Sequence, residues 1–142
     1  MFFPYKDDNP RILVPYVTYA ILGINIFVFV FQTGLGLSDI VGERTFIYAF
    51  GLIPAQFSIF NVFTSMFIHG GIAHIAGNMW FLWIFGDNVE SALGHIRFLI
   101  FFLACGTVAA LSQVILNAAS QIPMVGASGA IAGVLGAYMM MY

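Results

Sequence analysis

Apolar residues in this sequence come in runs far longer than one face of a helix or strand requires, separated by short polar clusters. The ten charged side chains fall in four groups: Lys6, Asp7, Asp8 and Arg11; Asp39, Glu43 and Arg44; Asp87 and Glu90; and Arg97 alone. Between and after them lie apolar runs at 12–38, 45–86 and 98–142. A helix needs about 20 apolar residues to cross about 30 Å of hydrocarbon. The first run therefore predicts one span at 14–32. The third is long enough for two, at 96–116 and 126–142, divided by the polar stretch 117–121 and Pro123. The middle run carries the breakers Gly51, Pro54, Ser58 and Asn61 in its first half. Its second half predicts a span at 62–85, and 33–61 reads as a long connecting loop whose Phe, Ile and Leu residues dip into the interface. The pattern predicts an all-α, polytopic transmembrane bundle with four spans.

Composition narrows the function classes. Of 142 residues, 61% are hydrophobic and 7% charged, against about 45–50% and about 25% in soluble domains. A core of this size cannot hide that much apolar surface from water, and disorder needs the opposite composition. Four cations and a net charge of -2 argue against a nucleic-acid-binding face. The lone Cys105 forms no internal disulfide, and no Cys/His spacing suggests a metal site. The first 13 residues do not read as a secretory signal, so the first span is expected to be retained. Cation placement favours a cytoplasmic amino terminus, with Lys6, Arg11 and Arg97 inside and Arg44 outside. The start of the second span, the 117–125 loop and the start of the last span then share the outer side.

Polar side chains within spans need partners or a cavity. His74 and Asn78, four apart, project from one helix face, and His69 belongs to the loop or helix entrance. They read equally as interhelical hydrogen-bonding groups. The last span opens Gly126-Ala127-Ser128-Gly129-Ala130, and Gly129, Gly133 and Gly136 form a small-residue face that admits a neighbouring helix, on which Ser128 reads as merely small. Together the two features suggest more. A serine at a helix amino terminus has free N–H groups and the positive dipole end beside it, and His74 and Asn78 at matching depth supply further donors for an oxyanion.

These residues resemble the rhomboid intramembrane serine proteases. The resemblance rests on His69-Gly70-Gly71-Ile72-Ala73-His74-Ile75-Ala76-Gly77-Asn78 followed by Gly126-Ala127-Ser128-Gly129, with Glu90 and Gly94 matching an E-x-x-x-G pattern. Asp7-Asp8-Asn9-Pro10 looks like the bacterial members, implying a bacterial plasma membrane. The resemblance implies a compact bundle of six or more helices around a water-filled, outward-opening cavity, of which this sequence supplies about four. It implies Ser128 as nucleophile, His74, Asn78 and the Ser128 N–H as oxyanion donors, and His69 as a structural hydrogen-bonding residue near the cavity mouth. It further implies no cofactor or metal, and substrates that are transmembrane segments of other membrane proteins.

The sequence also departs from that pattern. Rhomboids pair the serine with a histidine on a later helix in an Ala-His-x-Gly-Gly-like motif, which is absent here. His95 falls on the inner side of the predicted topology. The 15 residues from Ser128 to Tyr142 extend about 22 Å as helix, short of a crossing. The expectation is an amino-terminal fragment lacking its base and the helix that would pack on Gly129, Gly133 and Gly136, and inactive alone. The 33–61 loop has Glu43-Arg44 but no Trp-Arg pair, and Ala132 stands where a large aromatic often packs the catalytic histidine. The alternative is a non-catalytic relative that binds transmembrane segments. A channel or transporter has too few intramembrane ionisable groups and no paired interrupted helices.

Overall fold

A computed structural model describes residues 13–142; the cluster Lys6, Asp7, Asp8 and Arg11 lies outside the described residues. Among these residues the chain is all-α, with six helices: α1 (Tyr16–Ser38), α2 (Ile40–Phe50), α3 (Ile59–Thr64), α4 (Ile72–Leu93), α5 (His95–Leu116) and α6 (Ser128–Met141). Helix α4 is central and packs against α1, α5 and α6. Leu82, Val89, Phe98, Phe102 and Val134 are fully buried between them. The outward faces carry exposed Ile24, Phe27, Val30, Trp83, Ile100 and Val108, the surface that lipid accepts. Helices α1 and α5 are long and apolar enough to cross a membrane, and α3 with α4 makes a third candidate. At 14 residues, about 21 Å, α6 is shorter than a crossing requires.

Two stretches differ from the sequence-based expectation. The first is 33–61, expected as a loop and found largely helical. Helix α1 continues to Ser38, and Asp39 then starts α2 by accepting a hydrogen bond from the Val41 N–H at 2.9 Å. None of the residues of α2 is buried, so its side chains carried no core-facing periodicity. The second is 62–85, expected as one span. Helices α3 and α4 instead meet at 88° across a break. Ser58 caps α3, while Asn61 donates to the Ala49 and Gly51 carbonyls and Thr64 to that of Phe50. These bonds hold α3 across the end of α2. Helix α4 begins only after Gly70-Gly71 and runs eight residues past the expected end at 85.

The extra length of α4 places Asp87 and Glu90 inside the fold instead of at a span boundary; both are buried. Glu90 is tolerated because it is fully engaged. Its carboxylate accepts hydrogen bonds from the Val17 and Thr18 N–H groups at 2.9 and 2.7 Å, from the Thr18 hydroxyl at 2.7 Å, and contacts His95 Nδ1 at 2.5 Å. Pro15 precedes α1 and cannot cap it with a side chain, so the orphan N–H groups of its first turn are capped from 72 residues away. Ser91 adds a bond from the Leu13 N–H at 3.1 Å. Gly94, at φ 79°, makes the one-residue turn into α5, a conformation that side chains disfavour.

Glu90→Ala leaves two buried α1 donors unsatisfied and is expected to cost about 3 kcal/mol of stability, with Glu90→Gln costing less. Unfolding in mixed detergent micelles measures both; equal stability of wild type and Glu90→Ala would contradict this role.

Candidate active site

The turn that leads into α6 is held by the main chain. Leu52 and Met124 exchange both N–H···O bonds, at 3.0 and 2.8 Å, as an isolated antiparallel bridge. The Ala55 N–H donates to the Ser120 carbonyl at 3.0 Å, and the Gly126 N–H to the Ser65 carbonyl at 2.8 Å. Segment 120–126 is thereby fixed against 52–55 and the end of α3. Ser128 follows as the first residue of α6, exposed, with no side chain capping the helix start.

Gly126 brings this turn onto α4. Its φ is 114°, in the region that favours glycine. A Cβ there would lie 2.7 Å from Cε1 and Nε2 of His74 and 3.5 Å from the Asn78 amide nitrogen. The His74 ring and the Asn78 amide thus sit against the backbone two residues before Ser128. Asn78 is buried, and its Nδ2 has no hydrogen-bond partner, an arrangement that costs free energy unless something occupies the site. The Gly70 N–H donates to His74 Nδ1 at 3.4 Å. With Nδ1 an acceptor, the ring proton belongs on Nε2, the nitrogen that faces Gly126.

His69 lies in the break before α4, fully buried, its ring edge-on to His74 with centroids 5.2 Å apart. Its main chain is bonded to Gln32 of α1: the Gln32 amide donates to the His69 carbonyl at 2.6 Å, and its oxygen accepts from the His69 N–H at 3.3 Å. Sequence reasoning passed over Gln32 as the end of the first span. One signal was available: Thr18, Asn25 and Gln32 recur every seventh residue in a largely apolar helix, and all three are buried.

The small-residue face of α6 is occupied differently from expectation. A Cβ on Gly129 would overlap Ala109, and one on Gly133 would overlap Cys105, both on α5; only Gly136 meets no atom within 4 Å. Two of the three glycines therefore serve the α5–α6 contact within the sequence, because the short 117–127 connection folds α6 directly back along α5. A cavity of about 220 Å³ lies beside Ser128 where these helices meet the turn that follows α3, with Ser65, Met66, Gly106, Gln113 and Met124 in its wall. His95 is at the opposite end of α4, against Glu90 and the Tyr16 ring. Among the described residues no three His, Cys, Asp or Glu side chains converge as a metal site.

An all-α integral membrane protein with a serine, a histidine and an asparagine gathered at one end of its bundle is the class that these features define. Residues 56–142 match the family model described as the Rhomboid domain, and the chain belongs to the rhomboid family. It is 35% identical over 130 residues to the rhomboid protease GluP of Bacillus subtilis, covering 87% of this chain and 24% of that protein. Against the mitochondrial Rhomboid protein 1 of Saccharomyces cerevisiae it is 30% identical over 142 residues, covering 96% and 38%. Against the putative rhomboid protease YdcA of Bacillus subtilis it is 28% identical over 129 residues, covering 91% and 63%. The chain thus spans less than two thirds of the length of each of these relatives. No solved structure matches it.

Gly126→Ala is expected to lower stability by about 1–3 kcal/mol, through positive-φ strain and displacement of the His74 ring. Thermal unfolding in micelles measures it; an unchanged midpoint would show that the turn and the ring are not in contact.

Proposed function

We propose that the protein is an intramembrane serine endopeptidase that cleaves transmembrane segments of other membrane proteins. Ser128 is the nucleophile, and its N–H with His74 Nε2–H and the Asn78 amide stabilises the oxyanion of the tetrahedral intermediate. The observation that carries this reading is the buried Asn78 Nδ2, without a partner and 3.5 Å from where a Gly126 side chain would begin. An unpaired buried donor beside the turn that opens an uncapped helix is suited to developing negative charge. Family membership and the names of the protease relatives support the same chemistry. Hydrolysis also needs water where lipid excludes it, and the cavity beside Ser128 carries the polar Ser65 and Gln113 in its wall.

Serine requires a base. His74 is committed as a donor through Nε2, His69 is buried behind it, and His95 is held at the far end by Glu90. In this reading the base is a histidine supplied from beyond the 142 residues, as the Ser–His dyad of the resemblance implies. Gly136 and the exposed Ala132 and Ser128 leave one side of α6 open to such a helix. The second reading, a non-catalytic rhomboid that binds and guides transmembrane segments, draws on the same observations: His74 Nδ1 is engaged by the Gly70 N–H, His69 is buried and His95 lies against Glu90 at the other end of α4.

The test is cleavage of a single-span membrane protein in proteoliposomes, with the enzyme expressed from its complete gene. Ser128→Ala is expected to abolish cleavage, and His74→Ala or Asn78→Ala to lower kcat by about 100-fold. Equal cleavage by wild type and Ser128→Ala would remove Ser128 as nucleophile. Substrate retention without cleavage by either would establish the second reading.

A further inference from the structure

Gln32 occupies a position that neither family membership nor the proposed chemistry explains. It sits fully within the fold, late in α1, with three polar contacts from one carboxamide. Two are the bonds to both main-chain groups of His69, at 2.6 and 3.3 Å; the third runs from Nε2 to Glu43 Oε1 on α2 at 3.4 Å. The first two have the geometry of a strand neighbour: one side-chain amide takes the place of a peptide and pairs with a single residue. That residue lies in the helix break, where no helical ladder satisfies its N–H and C=O. Unpaired, those groups would each cost free energy at membrane depth. The next residue, Gly70, supplies the N–H that reaches His74 Nδ1 at 3.4 Å. At that length the bond is near the limit of hydrogen-bond geometry, so its strength depends on where the Gly70 N–H is held.

We propose that Gln32 is a positioning residue for His74. By clamping the His69 peptide it holds the Gly70 N–H on Nδ1, which keeps the imidazole proton on Nε2, facing Gly126 and the start of α6. A neutral imidazole with the proton on Nδ1 would present a lone pair to a developing oxyanion and repel it. The same carboxamide links α1, α2 and the entrance of α4, so the tautomer of His74 depends on how three elements meet. The inference rests on the oxyanion role given to His74 above, but its structural part stands apart from that role and is read separately.

The experiment has two arms. Long-range ¹H–¹⁵N spectra of the imidazole nitrogens, recorded on the 142-residue chain in micelles and assigned with His74→Ala, report the tautomer directly. Wild type is expected to hold His74 as the Nε2–H form, and Gln32→Met to give a mixture of both tautomers. Gln32→Glu keeps the acceptor for the His69 N–H and loses the donor, so an intermediate mixture is expected; it decides the question by the same criterion if Gln32→Met fails to fold. A pure Nε2–H form in the folded variant would overturn the proposal. In the second arm, with enzyme from the complete gene, Gln32→Met is expected to lower kcat by about tenfold with KM held within about twofold. A shifted tautomer with unchanged kcat would overturn the positioning role. If Ser128→Ala cleaves as well as wild type, the protease reading fails, while the spectra still decide what Gln32 does.

Discussion

A chain that lives in hydrocarbon must find partners for its own polar groups, and in this protein the two ends of α1 carry that requirement. Water is not available to rescue an uncapped helix turn or a helix break at membrane depth. At one end the Glu90 carboxylate closes the first turn of α1; at the other the Gln32 carboxamide closes the gap between α3 and α4. Both bonds cross more than 35 residues of sequence, and both join α1 to the neighbourhood of α4. The register of those two helices is therefore set by polar contacts at its ends, with Ile21, Leu22 and Leu82 filling the apolar interval. Polar groups at matched depth specify a packing arrangement more sharply than apolar contacts, which slide at little cost.

The site follows from that register. His74 and Asn78 lie on the first turns of α4, so fixing α4 fixes their depth. The turn carrying Ser128 is fixed independently, by main-chain bonds to Leu52, Ala55 and Ser65. Gly126 is where the two frameworks touch, and the absence of a side chain there lets His74 come into contact with backbone. In the proposed chemistry, donors held in this way act without reorienting as charge develops. Their desolvation is already built into the folded protein, as the partnerless Asn78 amide attests.

Much of this was legible in the sequence, and what was missed has a physical pattern. The apolar runs announced a helical membrane bundle, and His74, Asn78 and Ser128 stood out because each is polar where apolar residues prevail. Local spacing carried that signal. The helical character of 33–61 was hidden because α2 buries none of its residues, leaving no periodicity to read. The 88° break before α4 was hidden because His69 is stabilised by Gln32, 37 residues away. Glu90 looked like a boundary charge because its four partners lie on α1 and beyond Gly94. The glycine stripe of α6 was recognised as a packing face, but α5, already in the sequence, proved to be its partner at Gly129 and Gly133. Polar residues read in isolation pointed to the candidate site; only their distant partners explain how those residues are held.

In the proposed chemistry Ser128, His74 and Asn78 act on one reacting oxygen. The most direct measurement is a structure of the protein after reaction with a serine-directed phosphonate. Phosphorus is expected on Ser128 Oγ, with a phosphoryl oxygen within hydrogen-bond distance of His74 Nε2 and Asn78 Nδ2. An adduct whose oxygen points away from both, or a reagent bonded to a different residue, would contradict it.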